Sequence, residues 1–229
     1  MAEKFNRPSL QVESLLQDIA WEAAQCHSWT GKDSLDARVL EAIKQVPRQA
    51  FVPDYELDFA YDNGPLPIGY GQTISQPFIV ALMSDLLGTA PDQVVLEVGC
   101  GSGYQSAVLS RLVKQVYSVE IVPELAQEAQ ERLQRMGFGN VTVRHGDGYH
   151  GWPEHAPFDG IIVTAAAPEI PPPLVEQLKP GGRMVIPVGL PHSRQDLMLV
   201  EKNMTGEVVM RNMLPVAFVP LTGGHGDGS

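Results

Sequence analysis

The chain has 229 residues, a formal net charge of -11, 44% hydrophobic residues and two cysteines. That length fits one α/β domain with an extension, and the negative charge disfavours a phosphate backbone as partner, because nucleic-acid binding relies on Lys and Arg to neutralise phosphates. No apolar stretch has membrane-spanning length, the start Met1 to Arg7 lacks an apolar signal core, and no Cys/His cluster has metal-ligand spacing, so a cytoplasmic protein is expected, with no metal, nucleic acid or membrane among its partners.

Residues 9 to 29 place Leu10, Leu15, Leu16, Ile19, Ala23 and Ala24 at near-helical spacing, and residues 34 to 46 repeat the pattern with Ser34 as N-cap and Pro47 as stop. These helices precede the sheet. From Pro53 to Thr73 the chain is rich in Pro, Gly and Tyr without a period and reads as a long ordered loop, a feature that in compact domains is usually functional. A helix from about Gln76 to Leu87 follows, entered through Ser75. Trp21, Trp29 and Trp152 read as packing residues.

After Pro91, strands and helices alternate. Val94 to Val98 is an apolar strand, Tyr104 to Val113 a helix, Val116 to Val119 a strand, and Pro123 to Met136 a helix with Pro in its first turn. Strands at Val141 to Arg144 and Phe158 to Val163, a short helix at Pro173 to Leu178 and a strand at Arg183 to Val188 complete the series, with Lys179-Pro180-Gly181-Gly182 read as a tight turn. The pattern predicts an α/β fold: a doubly wound, mostly parallel sheet with an N-terminal helical extension and antiparallel C-terminal edge strands at 196–202 and 208–219. Residues 1–90 form the substrate-side extension and 91–222 the cofactor-binding core. Residues 223–229, polar and glycine-dense, are expected to be a flexible tail.

The most informative run is Glu97-Val98-Gly99-Cys100-Gly101-Ser102-Gly103, directly after an apolar strand. Glycines at alternate positions let the backbone turn tightly and approach a ligand, while the following helix presents unpaired N–H groups. A dinucleotide fingerprint wants its third glycine where Tyr104 stands. Glu97 adds a carboxylate suited to a cationic amino group, so the loop suits S-adenosylmethionine, a zwitterionic adenosine cofactor. Cys100 lies between two of these glycines, which makes it a poor disulfide partner for Cys26 and fits a reducing compartment.

Glu120 ends the second strand twenty-one residues beyond Gly99, where an acid can accept hydrogen bonds from both hydroxyls of a ribose. Taken alone, such an acid is more often a solvated strand-end charge; its place after the second strand favours the ribose. Gly146-Asp147-Gly148 puts a carboxylate after the third strand, within reach of an adenine amino group, although a turn residue explains Asp147 almost as well. Thr164-Ala165-Ala166-Ala167 leaves room above the fourth strand. Ser75 before a helix with an early Pro reads, on sequence alone, as an N-cap.

The glycine loop, Glu120, Gly146-Asp147-Gly148 and Lys179-Pro180-Gly181-Gly182 together resemble the class I S-adenosylmethionine-dependent methyltransferases, a Rossmann-like family. Arg38-Val39-Leu40, Val46 to Pro53, Gln72-Thr73-Ile74-Ser75-Gln76-Pro77 and Phe218-Val219-Pro220-Leu221-Thr222 resemble, within that family, the protein-L-isoaspartate O-methyltransferases. The resemblance implies methyl transfer from S-adenosylmethionine to the free α-carboxylate of L-isoaspartyl residues in damaged proteins and peptides, leaving S-adenosylhomocysteine and leading through a succinimide to normal aspartate. It implies cofactor contacts from Thr73, Ile74, Glu97, Gly99, Gly101, Glu120, Asp147, Gly148 and Thr222. Ser75 becomes the catalytic hydroxyl, and Ser75, Gln76, Pro77, Val219 and Pro220 line the substrate groove; separately, the acidic composition and the absence of a long apolar stripe point to a monomer.

Three other functions share parts of this pattern: a methyltransferase for a small metabolite, a nicotinamide-dependent dehydrogenase on the same sheet, and a non-catalytic cofactor-binding regulator. The segments before the sheet disfavour the first, and Tyr104 disfavours the second.

Overall fold

The computed structural model describes residues 7 to 191 and 193 to 223. The glycine-rich tail beyond Gly223 lies outside the described residues. Helix α1 (Arg7–Gln25) buries Leu15, Ile19 and Ala23, one per turn, and α2 (His27–Thr30) continues after a break at Cys26. Trp21 and Trp29 are not packing residues: they are 67% and 49% exposed, and only Trp152 of the three is buried. Helix α3 (Ala37–Gln45) starts at Asp36 rather than Ser34, because the Asp36 carboxylate accepts from the Arg38 amide at 2.8 Å and satisfies one of the unpaired donors of the first turn.

The stretch expected to be a long ordered loop is built from local turns and a short hairpin. Two 3-10 turns, Arg48–Phe51 and Asp54–Phe59, lead into an antiparallel hairpin of β1 (Leu66–Gly69) and β2 (Gln72–Ile74). Gly69, Tyr70 and Gly71 turn it in left-handed backbone, two of the three being glycine, for which that region carries no steric penalty. Helix α4 (Pro77–Leu87) has Gln76, not Ser75, as its cap residue, with no side-chain capping bond.

The sheet contains β3 (Val94–Val98), β4 (Gln115–Glu120), β5 (Val141–His145), β6 (Phe158–Val163), β7 (Leu178–Val188), β8 (Gln195–Lys202) and β9 (Val208–Val216), in the order β5-β4-β3-β6-β7-β8-β9. The first five are parallel and the last two antiparallel. Helices α5 (Tyr104–Ser110), α6 (Pro123–Arg135) and α7 (Pro172–Glu176) fill the crossovers.

Strand alternation sends Val95, Val116, Ile162 and Val185 to the face covered by α4, α5 and α6, and Leu96, Val98, Ile161, Val163 and Met184 to the face covered by Trp152 and Leu174. Both faces are buried, as a parallel sheet requires. Strand β7 begins earlier than expected and runs through Lys179-Pro180-Gly181-Gly182, with a register slip opposite Phe158 and Gly160 in place of a tight turn. A Cβ on Gly182 would meet the Asp159 carbonyl at 2.8 Å, so the close strand approach needs glycine there. No helix among the described residues is long and apolar enough to cross a membrane.

Because β4 and β5 extend the sheet to one side of β3 while β6 lies on the other, the winding reverses between β3 and β6. Parallel sheets open a crevice at such a reversal, beyond the strand C-termini.

Candidate functional site

The glycine loop leaves β3 at this crevice. Gly99 has φ +91°, and a Cβ there would stand 2.6 Å from the Thr164 hydroxyl at the end of β6. Thr164 donates to the Gly99 carbonyl at 2.5 Å, so the ends of the two strands are tied where the crevice begins. Gly148 is as constrained, since its Cβ would lie 2.3 Å from Val98 Cγ1.

A cleft opens above the loop, at the crevice where the winding reverses. Thr73, Ile74, Ser75, Gly99, Gly101, Glu120, Gly148, Val219, Pro220 and Thr222, all expected at the site, line it. The C-terminal segment arrives by backbone pairing: Ala166 N–H donates to Val219 O and Leu221 N–H to Ala166 O, both at 2.8 Å. Ala166 therefore serves as a docking edge for this segment, Ala167 pairs with Val188 at the end of β7, and Ala165 lines the cleft.

Glu120 is 5% exposed; one oxygen accepts from Gly101 N–H at 2.7 Å and the other from Val122 N–H at 3.0 Å. The carboxylate thus pins the glycine loop to the end of β4 and remains on the cleft wall with lone pairs to spare.

Glu97 and Asp147 occupy different positions from the rest. Glu97 is fully buried behind the loop and is absent from the residues that line the cleft; one oxygen accepts from the hydroxyls of Ser106 and Ser118, the latter at 2.6 Å. Burial pushes its pKa up to about 7 against the lowering effect of those hydroxyls. Asp147 accepts from Tyr149 N–H at 2.9 Å as the cap of a 3-10 turn, and a Cβ on Gly223 would lie 2.2 Å from its carboxylate; it is the adjacent Gly148 that reaches the cleft.

The raised Glu97 pKa has a definite sign for stability. The native state keeps this proton longer than the unfolded chain, so the contribution is whole below pH about 4.5 and is lost as pH rises through about 7. Urea unfolding of wild type and Glu97→Gln across this range should show wild type losing stability relative to the variant as pH rises, by at most about 3 kcal/mol. Parallel curves would refute a buried, proton-holding Glu97.

A second, larger cavity shares Thr73, Ser75, Thr164 and Val219 with the first. Gln76 lines it with Phe78, Ile79 and the 214–219 segment, whereas Pro77 is buried in the first turn of α4 and Pro220 faces only the cofactor side. Ser75 is half-buried at the junction, and its hydroxyl has no protein partner among the described residues.

Several participants were not read from the sequence. Tyr104 and Gln105 at the start of α5 and Val80 on α4 line the cofactor cleft, and Glu22 of α1 lines the second cavity. Arg48 is wholly buried, and no acidic side chain bonds it among the described residues. Its Nη2 donates to Gly64 O at 3.3 Å and to Ser75 O at 2.8 Å, and its guanidinium lies 4.9 Å from the Tyr104 ring centroid. Burial lowers its pKa from the ordinary guanidinium value, opposed by Tyr104. Gly64 precedes β1 and Ser75 follows β2, so one side chain staples both ends of the hairpin that roofs the glycine loop.

The cleft fits an adenosine that bears an amino-acid chain. It has a carboxylate on its wall at Glu120, a loop where Cβ atoms are excluded at Gly99 and Gly148, and an opening into a larger cavity at Ser75.

Residues 30–226 match the family model described as protein-L-isoaspartate(D-aspartate) O-methyltransferase. The chain is 61% identical over 211 residues to protein-L-isoaspartate O-methyltransferase 2 of Syntrophobacter fumaroxidans, covering 92% of this chain and 85% of that one. It is 59% identical to the protein of the same name from Nitrosococcus oceani, covering 92% and 96%. Among solved structures, it superposes on a protein-L-isoaspartate O-methyltransferase with TM-score 0.80 and 31% identity, over 93% of this chain and 67% of that one. A Plasmodium falciparum homologue described as a complex with S-adenosyl-L-homocysteine gives TM-score 0.71 and 25% identity, over 91% and 97%.

Proposed function

Because the chain belongs to the protein-L-isoaspartate(D-aspartate) O-methyltransferase family, we propose that its two joined cavities divide the reaction of that family between cofactor and damaged peptide. The enzyme transfers a methyl group from S-adenosylmethionine to the α-carboxylate of L-isoaspartyl residues in proteins and peptides, and the ester then closes to a succinimide that opens to normal aspartate. The carrying observation is that the cleft and the larger cavity meet at Thr73, Ser75, Thr164 and Val219. A methyl group held in one faces a carboxylate held in the other.

When bound in the cleft, S-adenosylmethionine supplies an electrophilic methyl carbon on a sulfonium centre. Glu120 holds the ribose, Gly99, Gly101 and Gly148 let backbone approach, and Thr73, Ile74 and Thr222 close the opposite wall. We assign Glu97 to the support of the loop and Asp147 to the adenine end.

The incoming carboxylate, with an ordinary pKa of about 4, is ionised at neutral pH and needs no general base. The protein must align it. The Ser75 hydroxyl, free of capping duty, donates to the carboxylate oxygen that does not attack, which orients the nucleophile without neutralising it as a lysine would. The segment around Val219 and Pro220 flanks the peptide. Buried Cys100 beside the loop, its thiol pKa raised by burial, fits a reducing cytoplasm, and the protein acts as a monomer in this reading.

Methyl transfer from labelled S-adenosylmethionine to an isoaspartyl peptide, with its aspartyl twin as control, tests the assignment; equal labelling, or none, refutes it. Ser75→Ala should lower kcat roughly tenfold or more, the loss of one hydrogen bond to a charged group, while leaving the Kd for S-adenosylhomocysteine within about twofold. Undiminished turnover would remove Ser75 from the reaction.

A further inference from the structure

The larger cavity has one ionisable side chain in its lining among the described residues, and it is an acid. Glu22 of α1 sits there half-buried. Both of its side-chain hydrogen bonds fall on the same oxygen, from Asn63 Nδ2 at 2.8 Å and Gln76 Nε2 at 2.9 Å. The other oxygen has no protein partner among the described residues. The two donors are neutral amides, so they fix the carboxylate without cancelling its charge. Gln76 Nε2 also donates to Asn63 O at 3.0 Å, and Asn63 Oδ1 accepts from Phe78 N–H at 3.0 Å, which ties Glu22 to the start of α4, directly after Ser75. Glu22 lies outside the residues that match the family model, 30–226.

Resting on the reading of this cavity as the peptide groove, we infer that Glu22 selects substrates by the charge beside the damaged residue. The substrate brings its own carboxylate into a groove with no lysine, arginine or histidine in its described lining and with one fixed negative charge. A lysine or arginine near the isoaspartyl residue is drawn towards Glu22, and its attraction favours the register that puts the isoaspartyl carboxylate at Ser75. An aspartate or glutamate in the same place is repelled, and nothing in the lining compensates. The net charge of -11 adds to both effects at longer range. A partly screened unit charge at such separations changes affinity by roughly five- to tenfold.

The test uses the full chain and isoaspartyl peptides that differ only by Lys or Glu, placed in turn on each side of the isoaspartyl residue. For wild type the ratio of kcat/KM, Lys over Glu, should be roughly tenfold or more on at least one side and should shrink at high salt, because screening weakens a charge effect and leaves a shape effect alone. Glu22→Gln keeps an acceptor for Asn63 and Gln76 and should bring the ratio to within about twofold. Glu22→Asp, which keeps the charge, should retain most of the preference and separates loss of charge from loss of fit. A ratio equal in wild type and Glu22→Gln, or insensitive to salt, overturns the inference while the methyltransferase assignment stands. Failure of wild type to methylate any of these peptides removes both.

Discussion

A Glu120→Ala variant will remain folded but will bind S-adenosylhomocysteine roughly 100-fold or more weakly than wild type. The carboxylate carries two duties in one place. Its oxygens accept from the Gly101 and Val122 amides at 2.7 and 3.0 Å, which sets the height of the glycine loop over the sheet, and the same group faces the cleft that we propose holds the ribose. Two ribose hydroxyls bonded to an ionised acceptor contribute about 1.5 to 3 kcal/mol each. Removing both therefore costs about 3 to 6 kcal/mol, or roughly 100-fold to 10,000-fold in Kd. Releasing the two backbone donors costs a further share of stability, about 1 to 3 kcal/mol for each that finds no water. Glu120→Gln keeps one acceptor oxygen and should fall between. Calorimetry with S-adenosylhomocysteine measures the loss, and an unchanged Kd in the alanine variant would show that the ribose is held elsewhere.

The second large effect is expected at a residue that touches neither cavity. Arg48→Met should fold, because methionine fills much of the same volume and removes a buried charge that has no acidic partner, a change that is often neutral or favourable. It should nonetheless lower kcat/KM roughly 100-fold, the penalty that a misplacement of about 1 Å imposes on an aligned reaction. Gly64 O and Ser75 O lose their shared donor, so the two ends of the β1–β2 hairpin are no longer held together and Ser75 is no longer fixed relative to the glycine loop. The loss should fall on kcat for the peptide reaction more than on S-adenosylhomocysteine affinity. Arg48→Lys should recover only part of it, because a point charge on a flexible stem cannot reproduce a planar donor lying on the Tyr104 ring. Full activity in Arg48→Met would mean that the hairpin holds itself.

Sequence reasoning located the lining of the cleft better than that of the larger cavity. Gly99, Gly101, Glu120 and Gly148 are legible because each follows a parallel strand by a short loop, and the ends of parallel strands converge in space whatever the rest of the chain does. Glu97 was legible as part of the loop, but its placement behind the loop was not: strand alternation says that it faces away from Leu96 and Val98, and only the positions of Ser106 and Ser118 show that this side is closed. Of the two readings of Ser75, the structure overturns the N-cap, because Gln76 is the cap residue. The hairpin at 66–74 was hidden because its strands are four and three residues long, too short for a period to emerge.

Local pattern alone thus determined the order of strands and helices, the parallel core with its antiparallel edge, and the acids and glycines that gather at the strand ends. Each of these follows from spacing along the chain, which the backbone converts directly into faces and turns. Tertiary structure alone decided which distant side chains meet: Arg48 with the carbonyls of Gly64 and Ser75, Val219 with Ala166, and Glu22 with Gln76. These partners are separated by loops whose closure depends on packing across the whole domain, and a side chain's type and neighbours in sequence carry no record of that.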